Sequence, residues 1–282
     1  MYPDWLIPDW PAPAGVRALC STRRGGQSLP PYDSLNLGDH VGDDPLAVAA
    51  NRATLRRAVP ARPVFLSQVH GTELVQLDRQ TPDGQTFDAA FTTQDGVACT
   101  VMVADCLPVL LTNRRGSWVA AAHAGWRGLT GQGGVGVLET LLRRVLALPA
   151  MGGAAGAASD VLVWLGPCIG PQAFEVGSEV RAAFVAAWPE AADCFVCAGR
   201  DKWLADLAGL ARLRLARLGI SQVFGNNSTA PWCTACNQDR FFSHRRDRSS
   251  GRMAACVWLE VASSEGRIDC NEFIAASRNT PG

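Results

Sequence analysis

Three short runs in the middle of the chain place two histidines and a cysteine where one metal ion could hold all three. They are Gln68-Val69-His70-Gly71, Ala104-Asp105-Cys106-Leu107-Pro108 and Ala122-His123-Ala124-Gly125-Trp126-Arg127-Gly128. The chain has 4 histidines, and two of them fall in these runs, each with a glycine close behind. Small residues beside a ligand leave a coordination face open to substrate. A Cys/His/His set with one vacant position is the donor pattern of a catalytic zinc site, whereas structural sites close with a fourth protein ligand. His70, Cys106 and His123 are therefore expected to be the metal ligands and the catalytic centre of a metal-dependent enzyme. Asp105 could hydrogen-bond one of these ligands from behind, or make a strand-end hydrogen bond to backbone instead.

Other donors are weaker. Cys194-x-x-Cys197 and Cys233-x-x-Cys236 together could form a four-cysteine zinc site, but their separation exceeds the usual ribbon spacing, and unliganded thiols are the expectation. Pro231-Trp232-Cys233-Thr234-Ala235-Cys236 comes near half of the base-deaminase signature, yet no His-x-Glu precedes it. His40 lies in a polar run. His244 sits in Phe241-Phe242-Ser243-His244-Arg245-Arg246-Asp247-Arg248, a basic turn that reads either as a solvated loop or as an anion clamp, since paired guanidiniums bind phosphate or carboxylate bidentately. Arg23, Arg24, Arg52 and Arg127 could join Arg245 there. Arg127 has the best claim because it follows His123 so closely.

These residues need elements to hold them. Val16 to Cys20 reads as a strand leading into the basic turn Thr22–Gly26. Asp44 and Pro45 are the cap and first residue of a helix that carries Asn51 and Arg52 and ends near Pro60. A block of β-rich runs follows at Pro63–Val69, Glu73–Asp78, Val97–Ala104, Val109–Thr112 and Ser117–Ala122, with the ligands at strand ends. Gly131 to Leu148 has helical spacing after a glycine-rich entry, and Pro149–Ser159 reads as a loop. A strand at Asp160–Leu165, helices at Glu175–Trp188 and Lys202–Leu218, and strands at Gln222–Phe224 and Arg252–Leu259 complete one mixed α/β domain.

Composition narrows the function. The formal net charge is zero over 282 residues, so no broad basic surface for nucleic acid is expected. Arginine carries nearly all the positive charge, with Lys202 as the lone lysine, a sign of compositional bias. No run reaches the ~18 apolar residues a membrane span needs, and the N-terminus lacks the basic start of a signal peptide. The 10 cysteines are accordingly expected to be reduced thiols of a cytoplasmic protein.

Taken together the runs resemble the laccase-domain family, also known as multicopper polyphenol oxidases, peptidoglycan editing factors and purine nucleoside phosphorylases. The matching pieces are those above together with Thr22-Arg23-Arg24-Gly25-Gly26, Leu35-Asn36-Leu37-Gly38, His40-Val41-Gly42-Asp43, Asn51-Arg52, Gly166-Pro167-Cys168-Ile169-Gly170, Ala205-Asp206-Leu207 and Phe242-Ser243-His244-Arg245-Arg246, in the family's order. The family often has tyrosine where this chain has His244, which weighs against a catalytic role for that histidine. The resemblance implies a single α/β/β/α sandwich domain with mixed β-sheets spanning residues 1–282, and a zinc held by His70, Cys106 and His123. It implies phosphorolysis of adenosine, inosine and S-methyl-5′-thioadenosine, with adenosine deamination as a side activity. Substrates would then be a small nucleoside and phosphate, with Arg23, Asn36, Arg52, Arg127 and Arg245 as substrate- or phosphate-binding residues, in a monomer or homodimer without nucleic-acid or membrane partners. Asp206 and Glu175 are candidates to protonate the leaving purine.

Two rival chemistries use the same residues. Copper could bind the trio as in a polyphenol oxidase, although a multicopper centre needs far more histidines than this chain has. Alternatively Cys106 would be the nucleophile and His123 the base of a metal-free hydrolase. A non-catalytic role in regulating cell-wall precursor synthesis would leave the open metal face unexplained.

Overall fold

The first turn of a helix leaves backbone N–H groups unpaired; proline has none to lose there, and an aspartate before it supplies an acceptor. Asp44 and Pro45 make that start, with the Asp44 carboxylate accepting the Leu46 N–H at 3.0 Å, and α1 (Pro45–Ala58) follows as expected. The structure, a computed structural model, describes residues 4–148 and 157–260. The loop expected at Pro149–Ser159 lies outside the described residues up to position 156.

Three sheets form. β1 (Val16–Cys20), β13 (Met253–Leu259), β5 (Val97–Val103) and β2 (Arg62–Val64) make a four-stranded sheet in that order. β12 (Gln222–Gly225), β8 (Val161–Leu165), β6 (Leu107–Asn113), β7 (Val119–Ala124), β4 (Ala89–Thr92) and β3 (Leu74–Gln76) make a six-stranded one. Both mix parallel and antiparallel pairs. β10 (Phe195–Gly199), β11 (Lys202–Ala205) and β9 (Glu175–Gly177) form a small antiparallel sheet.

The period-2 alternation of strands sorts their side chains into layers. In β5, Val97, Cys99 and Val101 enter a core between the two large sheets, where Leu110, Val119, Ala121 and Trp164 meet them. Ala98 and Met102 face the other way, into a core with Leu55 of α1. The six-stranded sheet turns Phe91, Val109, Leu111, Ala120 and Ala122 toward α2 (Trp126–Thr130), α3 (Val137–Leu146), α4 (Ser178–Ala187) and α5 (Leu207–Arg217). The architecture is therefore the mixed α/β, α/β/β/α sandwich. Each large sheet is buried on both faces, which explains why β5 is wholly buried and shows no polar alternation.

Several boundaries differ from the sequence reading. Glu175–Gly177 and Lys202–Ala205 are strands that pair with each other and not first turns of helices. Gly177 then leads into α4, and the Asp206 side chain caps α5 by accepting the Gly209 N–H at 2.8 Å. β4 and β10 were not anticipated. β4 is Ala-Ala-Phe-Thr, buried throughout, so it offers neither alternation nor β-branched residues in number. The expected Gly131–Leu148 helix begins only at Val137, because Gly131, Gly133 and Gly134 take positive φ.

Candidate metal centre

Register brings the three runs together. β5 belongs to one large sheet and β6 to the other, so the chain crosses between sheets at Ala104–Cys106 and leaves Cys106 where they part. His123 lies within β7, opposite Pro108 of β6. By alternation with Val119 and Ala121 it takes the inter-sheet face at that same rim. His70 arrives on the irregular segment between β2 and β3, with φ of 61°, in the left-handed region that non-glycine residues seldom occupy.

The donor atoms of His70, Cys106 and His123 all lie within 4.8 Å of one another, the one group of this kind among the described residues. His70 Nε2 and Cys106 Sγ are 3.6 Å apart. A tetrahedral zinc with bonds of ~2.1 Å to nitrogen and ~2.3 Å to sulfur holds such a pair about 3.6 Å apart. Gly125 shows how closely the backbone cradles them: a Cβ there would meet His70 Cδ2 at 2.8 Å and Cys106 Sγ at 2.9 Å. A Cβ on Gly128 would meet the Gly71 carbonyl at 2.8 Å, so both glycines of the third run are required for close approach. The residues fit a single metal ion with three protein donors.

One carboxylate that the sequence reading missed organises this trio. Asp88 precedes β4, and its carbonyl accepts the His123 N–H at 2.7 Å. Its buried carboxylate accepts His123 Nδ1–H at 2.8 Å, which leaves Nε2 for the metal. The same carboxylate accepts the backbone N–H groups of Val69 at 3.1 Å, His70 at 2.9 Å and Gly71 at 2.6 Å, and so pins the strained His70 backbone. Burial would raise Asp88, but His123 and these N–H donors hold it below the usual carboxylate range. Burial would likewise raise the Cys106 thiol, and the His123 and His70 imidazoles overcome that, bringing it down to about 6. His123, which burial would lower, is carried up to about 9 by Cys106 and Asp88. Cys106 is thus primed as the thiolate that a metal requires.

Asp105, a candidate to stand behind a ligand, binds none of them. Its φ is 95°, and its carboxylate accepts Thr234 Oγ1–H and the Arg245 N–H, both at 2.6 Å. It ties the Cys106 turn to the two segments that follow β12.

A cavity of about 360 Å³ opens at the trio. Its size falls at the low end of the ~300–1,000 Å³ of small-molecule sites. All four histidines line it, with Met102, Ile169 and Phe174 as apolar wall and Asp105, Arg245 and Arg252 as charged groups. The sequence-predicted anion binders separate here. Arg245 lines the cavity and donates Nη1–H to the Glu175 carbonyl at 2.8 Å. Arg52 lies in an adjoining cleft, ion-paired with Asp39 at 3.1 Å. Arg23 is in a separate surface cleft, ion-paired with Asp33 at 3.2 Å. Arg127 is exposed on α2 and stacks on Trp126. Asn36 is fully buried, and its amide serves Gly38, Asp43 and Arg252. The two acid candidates are elsewhere too: Asp206 caps α5 and accepts from Ser228, while Glu175 pairs with Lys202 at 3.3 Å.

The chain matches the family model described as multi-copper polyphenol oxidoreductase laccase over residues 17–260. It is 48% identical over 256 residues to the purine nucleoside phosphorylase YfiH of Escherichia coli, covering 90% of this chain and 98% of that one. It is 49% identical over 257 residues to the purine nucleoside phosphorylase PA4543 of Pseudomonas aeruginosa, covering 91% and 98%. Among solved structures, protein NMB0706 of Neisseria meningitidis superposes with a TM-score of 0.81 at 45% identity, covering 92% of this chain and 100% of that one. YlmD of Geobacillus stearothermophilus superposes with a TM-score of 0.80 at 30% identity, covering 93% and 98%.

Proposed function

We propose that this chain, which belongs to the multi-copper polyphenol oxidoreductase laccase family, is a zinc-dependent purine nucleoside phosphorylase. Its substrates are adenosine, inosine and S-methyl-5′-thioadenosine, with adenosine deamination as a side reaction, and its compartment is the cytoplasm, where its thiols stay reduced. The reading draws on the relatives that carry the phosphorylase name. The observation that carries it is the cavity itself, where three zinc-type donors with one open direction share a wall with guanidiniums.

Phosphorolysis requires phosphate to be held beside the anomeric carbon, the developing ribosyl cation to be tolerated, and the leaving base to be stabilised. Arg245 contributes positive charge for the first. Ile169, Phe174 and Met102 offer an apolar surface for a purine ring. Asp88 fixes the His123 tautomer and the His70 loop, so the donors are set before substrate arrives. When bound, zinc supplies a Lewis-acid centre for polarising oxygen and activating water, which accounts for both reactions at one place.

The test is metal analysis of the purified protein together with an adenosine assay with and without phosphate. Stoichiometric zinc and phosphate-dependent release of ribose 1-phosphate are expected, and Cys106→Ala should lose the metal and both activities together. Either reaction at full rate in metal-free protein would sink the shared-metal reading.

A second reading has its own support. Asp88, His123 and Cys106 stand in the order of an acid, base and thiol nucleophile. Activity that survives a chelator but is lost to iodoacetamide would favour that metal-free hydrolase.

A further inference from the structure

Arg252 immediately precedes β13. It lines the cavity beside the trio, half-buried. Around the cavity, Arg52 in the adjoining cleft is paired with Asp39 and Arg246 with Asp247, while Arg245 in the cavity wall donates to the Glu175 carbonyl. Among the described residues Arg252 has no carboxylate at ion-pair distance. Its Nη1 donates to the carbonyls of Ser250 at 2.7 Å and Gly251 at 3.1 Å, and Nε and Nη2 make no hydrogen bond to any other of the described residues. A half-buried guanidinium with two donors left over takes water or an anion there, and a charged acceptor gives the stronger hydrogen bonds.

The surrounding backbone is shaped to hold this side chain in place. Asn36 Oδ1 accepts the Arg252 N–H at 2.8 Å, and the Leu37 N–H donates to the Arg252 carbonyl at 3.0 Å. A Cβ on Gly38 would meet Arg252 Cγ at 2.8 Å, so the Asn36–Gly38 run is a cradle for the arginine stem. Asn36 thereby acts through Arg252 and not on substrate. Among the described residues the one carboxylate lining the cavity is Asp105, whose two oxygens already accept from Thr234 and Arg245. His40 also lines this wall, and the nearby Arg252 charge works with burial to lower its pKa against Asp39.

We infer that Arg252 is the main protein ligand of a tetrahedral oxyanion, inorganic phosphate, in this cavity, with its Nε and Nη2 as the paired donors. The inference rests on the phosphorolysis reading and adds to it the residue that holds the second substrate. Arg252 is then a substrate-binding residue, and Asn36 and Gly38 are its positioning residues.

The test titrates inorganic phosphate into the zinc-loaded protein by calorimetry, with inosine as a separate titrant. Arg252→Gln should weaken phosphate binding about 10- to 100-fold, the range set by losing charge-assisted hydrogen bonds. Inosine binding should stay within about twofold, since no base or sugar contact is assigned to this side chain. Arg252→Lys keeps the stem and charge but not the fork, and should weaken phosphate about tenfold if the Gln variant does not fold. A wild-type crystal soaked in arsenate should show the anion on Arg252 Nε and Nη2. Unchanged phosphate affinity in a folded variant, or arsenate bound away from Arg252, overturns the inference. Phosphate bound at Arg252 without release of ribose 1-phosphate would leave this site standing and remove the phosphorylase reading; release with unchanged binding in Arg252→Gln would do the reverse.

Discussion

Replacing Asp88 with asparagine changes one atom in the site and should weaken its hold on a metal. Oδ1 accepts from the His70 N–H and His123 Nδ1–H; Oδ2 accepts from the Val69 and Gly71 N–H groups. An amide must set its NH₂ against one of these pairs. Facing Val69 and Gly71, it strands two N–H groups, at about 1–3 kcal/mol each. Facing His123, it forces Nδ1 to become an acceptor and moves the ring proton to Nε2, the nitrogen the metal needs. Release of the left-handed His70 backbone returns about 1–3 kcal/mol of strain, so the net stability loss should be about 1–3 kcal/mol. Zinc affinity should fall about 10- to 100-fold, as when other metal-bound histidines lose their carboxylate. Competition with a chromophoric chelator measures the affinity, and urea denaturation of the metal-free protein measures the stability. A folded Asp88→Asn protein with wild-type zinc affinity would refute the role given to this carboxylate.

Gly125→Ala should lower zinc affinity at least tenfold and destabilise by about 1–3 kcal/mol, because its Cβ would press on His70 and Cys106 at under 3 Å; chelator competition reads the first and thermal unfolding the second. Glu139→Gln should cost about 3–5 kcal/mol by leaving a buried charge unpaired, since the Glu139–Arg214 pair is buried and Arg214 also braces the Thr130 and Gly134 carbonyls; activity per folded molecule should persist. Arg127→Ala should leave phosphate KM within about twofold, because that side chain lies outside the cavity on Trp126; a larger rise would return it to the site.

The convergence of His70, Cys106 and His123 could be anticipated from residue types because such donors are few and the chain spends them sparingly. The layer order followed from the family resemblance, and α1 from a cap and a proline. What could not be read was pairing. Asp88 stands alone before Ala-Ala-Phe-Thr, and only the register of β4 on β7 shows that it reaches His123. Arg127 was favoured for nearness to His123 along the chain, but a helical turn carries it outward. Arg252 carried no local mark at all. Its claim depends on having no carboxylate at ion-pair distance among the described residues, a property of three-dimensional surroundings and not of any motif. Glu175 and Lys202 read as helical because strands this short, in a small sheet of their own with β10, leave almost no periodicity.

The donor set also bears on the family's copper-based description. Two imidazoles and one thiolate converge on one point, and the remaining two histidines, His40 and His244, line the same cavity without joining them. That is a mononuclear arrangement, and four histidines leave too few nitrogens for a multinuclear copper cluster. The charges point the same way. Cys106 as thiolate cancels half of a divalent ion, and Asp105 is occupied by Thr234 and Arg245. Arg245 and Arg252 then leave the metal-loaded cavity with an excess of positive charge facing the ligand space. A phenol would gain little from two guanidiniums, whereas an anionic second substrate needs them. The same side chains that could hold one Lewis-acid centre are therefore consistent with the proposed group transfer to phosphate, and they offer less to electron transfer from a phenol.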